Sequence, residues 1–137
     1  MNSDFYDACL RHFDDAEQLF KAQRWANADH LFGISVECGL KRLMIAFGMS
    51  IDERGTPADR SDKVHADGVW MRYEAYRSGH HEAVHYVLSS TPPFHDWHIN
   101  QRYAHQNNFD QTHVDPHRDA AHEVRKLLNR AERDGLL

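Results

Sequence analysis

The stretch Trp25-Ala-Asn-Ala-Asp-His-Leu-Phe-Gly-Ile-Ser-Val-Glu-Cys-Gly-Leu-Lys-Arg-Leu-Met-Ile-Ala-Phe47 reads as one helix with a wide buried face. Apolar or small residues recur at Ala28, Leu31, Phe32, Ser35, Val36, Gly39, Leu40, Leu43, Met44 and Phe47, the i, i+3, i+4 spacing of a helical stripe. Ile34, Cys38 and Ile45 widen the arc, so this helix belongs at the centre with others around it. Gly33, Ser35 and Gly39 keep part of the surface thin and let a neighbouring helix come close. Glu37 and Lys41 stand on this face at i and i+4, in the order that favours a salt bridge, and read as a structural pair. A carboxylate on an apolar face needs a cation, and Lys41 or Arg102 can supply it.

Working outward, Phe5, Cys9, Phe13, Ala16 and Phe20 predict a first helix over about Asp4 to Gln23, with Asp4 and Asp7 at its positive end. Gly48 suits the C-terminal cap of the second. Ser50 to Lys63 is polar, interrupted by Gly55 and Pro57, and reads as a mobile surface loop. A third helix over Ala66 to Arg77 turns Val69, Trp70, Tyr73 and Tyr76 inward and stops at Gly79. A fourth, over His80 to Ser90, buries Val84, Val87 and Leu88 before Pro92 and Pro93. After an irregular stretch from Phe94 to Val114, Asp115 as N-cap and Pro116 in the first turn open the last helix. Period-2 alternation is almost absent. The expectation is an all-α, up-and-down bundle of four to five helices in a single domain, 1–137.

The formal charge of −5, from 16 basic and 21 acidic side chains, argues against diffuse phosphate binding and confines any nucleic-acid site to a local patch. Cys9 and Cys38 fall on helix stripes and read as reduced core residues, which favours the cytoplasm. No apolar run reaches the roughly 18 residues of a membrane span, and the N-terminus lacks the pattern of a signal peptide. Histidine is in excess: ten of the twelve lie between His65 and His122.

The run from Ala28 to Lys41, with Glu37, Leu40 and Lys41 in an A-x8-E-x-x-L-K pattern, is followed by Lys63-Val-His65, by Trp97-His-Ile-Asn-Gln-Arg-Tyr-Ala104 and by a final amphipathic helix. In order and spacing this set resembles the HEPN family of small helical bundles. The resemblance implies a nucleotide- or RNA-associated accessory module. Such modules often belong to a toxin–antitoxin or defence system, act as homodimers and pair with a nucleotidyltransferase-like protein. It points to Arg102, Tyr103 and His65 as ligand-binding residues, and to Arg102 and His105 as candidate catalytic ones. Catalytic members are metal-independent ribonucleases whose arginine and histidine are four to six residues apart. Histidine moves the 2′-hydroxyl proton while arginine holds the phosphate. Here two residues separate Arg102 from His105 and three separate Arg118 from His122. Arg60 and His65 have four between them but lie in the loop. The expectation is therefore a module without a competent nuclease pair, and no cofactor.

A second reading comes from His81-Glu82-Ala-Val-His85, an H-E-x-x-H motif. On an α-helix the two histidines share a face and hold zinc while the glutamate polarises a bound water, which would make a zinc hydrolase. A third ligand would come from His113, His117 or His122, or from Glu123 or Glu132. Chance alone supplies such a motif in about one chain in twenty of this composition. No convincing strand is present to align a substrate. His95, His98 and His105 flank the Trp97–Tyr103 segment, where they either stack a base and hold a phosphate or sit on a solvated loop.

Overall fold

Asp4 starts the first helix by accepting the amide of Asp7 at 2.9 Å, and α1 runs Phe5–Lys21. Gln23, at positive φ, turns the chain into α2, Trp25–Ala46. Gly48, at φ +106°, follows the C-terminus of α2 in a conformation that glycine adopts without a Cβ penalty. The third and last helices are α3, Ala66–Ser78, and α4, Gln111–Arg133. The computed structural model describes residues 1–89 and 91–137. Among these the chain is an all-α bundle, with an isolated bridge between Ile51 and Pro57 in place of any strand.

The long stripe of α2 does what its width predicts. It packs against α1, α3 and α4, and Phe32, Val36, Leu40, Leu43 and Met44 are fully buried. Glycine makes the closest approaches possible. A Cβ on Gly39 would lie 2.6 Å from Val124 Cγ1 and 2.9 Å from Cys9 Sγ, so α1, α2 and α4 meet there. Ser35 ties the same seam by donating to the Cys9 carbonyl at 2.9 Å. Gly33 does not admit a helix, as its spacing suggested. It admits the indole of Trp97, whose Cε2 would lie 2.2 Å from a Cβ there. Lys41 and Glu37 pair at 2.7 Å, and the second glutamate oxygen meets His65 Nδ1 at 3.0 Å.

Three expectations need correction. The loop over 50–63 is tied down: Asp52 accepts the amides of Arg54 and Thr56, and buried Asp62 accepts from Arg72 at 2.8 Å and Tyr76 at 2.6 Å. The last helix begins a turn earlier than Asp115. Asp110 caps it by accepting the His113 amide at 2.8 Å, and Pro116 lies inside, where it leaves one helical donor missing near the N-terminus. The supposed fourth helix is a short 3-10 turn, His81–His85, with Ser90 outside the described residues, so the fourth α-helix described is the C-terminal one. Long-range side-chain donors pin the end of that turn. Tyr73 donates to the Tyr86 carbonyl at 2.5 Å and Arg130 to that of His85 at 2.9 Å. Ala83 and Tyr86 therefore turn inward, and Val84 and Val87 are exposed.

At the α1–α4 seam Glu17 accepts two hydrogen bonds from Arg118, at 2.8 and 2.9 Å, and a third contact from His122 at 2.8 Å. The guanidinium beside it outweighs burial and holds the Glu17 carboxyl below its ordinary range. A depressed carboxyl stabilises the fold above its unfolded pKa and stops doing so as the pH falls through its folded one. Glu17→Gln is expected to cost about 1–2 kcal/mol at pH 7. Melting temperatures of the two proteins should converge as the pH drops below about 4.3, and a gap that persists into acid would refute the pairing.

Candidate functional site

The early start of α4 puts His113 and His117 one above the other, at i and i+4, facing Asp29 on α2. His117 and Asp29 are fully or almost fully buried. His117 Nδ1 lies 2.5 Å from Asp29 Oδ1, and Nε2 lies 2.9 Å from Asp96 Oδ1. With a carboxylate on each ring nitrogen, both nitrogens donate and the ring is an imidazolium. Burial opposes that charge, but the hydrogen bond to Asp29 and then that to Asp96 raise the His117 pKa above its usual value. The Asp96 carboxyl feels the reverse: burial would raise it, and His117 pulls it below the ordinary range. Phe94 stacks on the His117 ring with centroids 4.7 Å apart.

His113 is placed less tightly. Nε2 is 3.6 Å from Asp29 Oδ2 and Nδ1 is 3.7 Å from Asp96 Oδ2. Its buried Nε2 has no hydrogen-bond partner. The Trp97–Tyr103 segment supplies the rest of the wall. Gln101 donates to Asp29 Oδ2 at 2.7 Å, and the Trp97 indole donates to the Asp29 carbonyl at 3.1 Å. This corner therefore docks on Asp29, and not on Glu37 at the middle of α2. Arg102 is exposed and does not reach Glu37, which Lys41 and His65 hold instead.

Beside the cluster a cleft of about 570 Å³ opens between the N-terminal ends of α2 and α4. Gln23, Arg24, Trp25, Ala26 and Asn27 form one wall; Ala104, Gln106, Asn107, Phe109 and Asp110 form the other. No side chain caps the N-terminus of α2, and no acidic residue stands in its first turn. Its amides thus point a partial positive charge at the cleft.

The residues that the sequence singled out are scattered around this region. Tyr103 is 77% exposed, and the Arg102 guanidinium lies 4.9 Å from its ring centroid. His105 uses Nδ1 to accept the Asn107 amide at 3.2 Å, which caps the short turn Gln106–Asn108 on the cleft wall. His98 and His80 cap short turns the same way, which explains part of the histidine excess. His65 is not with them. It sits on Glu37, eight residues or about 12 Å of helix from Asp29.

His81 and His85 do not share a face. In a 3-10 turn residues four apart point about 120° away from each other, and His81 is 87% exposed. Among the described residues, the one trio of potential metal ligands within reach of one another is Asp29, His113 and His117. Its sequence signal was a plain H-x-x-x-H, hidden because Pro116 lies between the two histidines and looked like a helix start. No helix among the described residues is long and apolar enough to cross a membrane. Comparison with protein families, curated proteins and solved structures gives no match.

Proposed function

We propose that this chain is a HEPN-type accessory module that binds a phosphate-bearing nucleobase, as a free nucleotide or within single-stranded RNA. The observation that carries this reading is the cleft at the uncapped N-terminus of α2. Arg24 and the free helix amides suit a phosphate there, Trp25 offers an indole face, and Asn27, Gln106 and Asn107 offer amides to a base edge. Its volume lies within the range of small-molecule sites. Arg102 and Tyr103 flank the Ala104 side of the cleft and extend the surface for a longer strand.

The three Arg–His pairs favour a binding role over cleavage. Arg118 and His122 both serve Glu17, His65 serves Glu37, and the His105 ring nitrogen accepts a backbone amide while Arg102 lies on Tyr103. Cys9 and Cys38 are free and buried, and burial pushes the Cys38 thiol up to about 12. Inert thiols of this kind support a cytoplasmic setting. A homodimer, a defence or toxin–antitoxin role and a nucleotidyltransferase-like partner belong to the same proposal.

The test is a titration with the four ribonucleoside monophosphates and with short single-stranded RNA, followed by calorimetry and by tryptophan fluorescence. Trp70 and Trp97 are buried, so the fluorescence change reports on Trp25. Arg24→Ala is expected to weaken binding about tenfold, or about 1.4 kcal/mol, and Arg102→Ala to weaken RNA more than mononucleotide. Binding of RNA alone would assign the site to a strand, and equal binding of both would assign it to the nucleotide. No binding, or binding indifferent to both substitutions in folded protein, rejects the reading.

A further inference from the structure

The buried cluster between α2 and α4 has the parts of a metal centre, and the nucleotide reading does not use them. We propose that Asp29, His113 and His117 bind one divalent transition-metal ion of the Zn²⁺ or Co²⁺ class, with Asp96 orienting His117. Two imidazole nitrogens and one carboxylate oxygen select such ions over Mg²⁺ and Ca²⁺, which prefer oxygen throughout.

Four observations converge on this assignment. One ligand atom from each of the three side chains lies within 4.8 Å of the other two. His113 Nε2 stands 3.6 Å from Asp29 Oδ2, close to the spacing of about 3.3 Å between neighbouring ligands of tetrahedral zinc. That nitrogen is also buried without a partner, a cost that coordination would remove. Finally, His117 Nε2 is held by Asp96 Oδ1 at 2.9 Å, so Nδ1, which now meets Asp29, is the nitrogen that faces the ion. A ligating histidine almost always gives its other ring N–H to an outer acceptor, a carboxylate, backbone carbonyl or water, and Asp96 is such an acceptor. Gln101 plays a similar part for Asp29, fixing Oδ2 at 2.7 Å.

Binding is a proton exchange. The proton between His117 Nδ1 and Asp29 Oδ1 leaves to solvent, and the two atoms, 2.5 Å apart, part by about 0.8 Å to admit the ion with His117 as a neutral ligand. Access comes from the side where the His113 side chain is 26% and that of Asp96 43% exposed. Three protein ligands leave at least one coordination position for water or another small donor on that side.

The test uses untagged full-length protein, freed of metal and titrated with Co²⁺ and Zn²⁺ by calorimetry and, for Co²⁺, by visible absorption. The expected result is one ion per chain with a micromolar or tighter Kd. His113→Gln should weaken binding at least 100-fold, and Asp96→Asn about tenfold. The pair His81→Ala/His85→Ala should bind as the wild type does. The wild-type melting temperature should rise with Zn²⁺, and that of His113→Gln should not. The assignment fails if folded wild type takes up no stoichiometric ion, or if folded His113→Gln binds normally. It also fails if affinity goes with His81 and His85. Should His113→Gln not fold, Asp96→Asn and the Co²⁺ ligand-field bands decide: unchanged affinity and octahedral bands of six oxygen donors would overturn it.

Discussion

Replacing Asp29 with alanine is expected to destabilise the protein by about 3–5 kcal/mol, because it strands the imidazolium of His117 in the core with one carboxylate in place of two. The same change removes the acceptor of Gln101 and the nearest carboxylate of His113. For a chain of this size the melting temperature should fall by about 10–20 °C. The cost belongs to the broken pair more than to the residue. In a His117→Leu background the buried Asp29 carboxylate has already lost its cation, so Asp29→Ala should cost much less there, and the cycle should show a coupling of at least 1 kcal/mol. Additive effects of the two substitutions, measured by denaturant unfolding, would mean that the short contact is not an ion pair.

The second large effect lies one helical turn further along α2 and has a sign that depends on background. A Cβ on Gly33 would lie 2.2 Å from the Trp97 indole, so Gly33→Ala is expected to cost roughly 1–3 kcal/mol by overpacking. Trp97→Ala removes one of the largest fully buried side chains and its bond to the Asp29 carbonyl, and should cost about 3–5 kcal/mol. Once the indole is gone, the three atoms nearest such a Cβ go with it. Alanine then gains its helical preference over glycine, close to 1 kcal/mol. In Trp97→Ala protein the same substitution is thus expected to stabilise. If it destabilises both backgrounds alike, the indole is not what keeps residue 33 small.

These two positions show how the reading of the chain divides. The stripe of α2 specified a central helix by its own periodicity, and the Glu37–Lys41 pair followed from spacing alone, because both are set within a turn or two of one helix. Gly33 was legible as a thin place on α2 but not as the socket of Trp97, which comes from a segment 64 residues on. H-E-x-x-H misled for a related reason. The motif presumes an α-helix, and His81–His85 is a 3-10 turn whose end is pinned by long-range donors from Tyr73 and Arg130.

The candidate metal trio was harder still to see. Asp29 and His117 stand 88 residues apart and meet only because α2 and α4 pack through Gly39 and Val124. His113 joins them because Asp110 caps a helix that Pro116 gave reason to start later.

Composition and local period were enough to specify an all-α chain with α2 innermost, since burying a continuous apolar stripe leaves a helix few other places to go. The chemistry had to wait for packing. Which carboxylate meets which imidazole depends on how distant helices cross, and a charge enters the core only where folding has already supplied its partner.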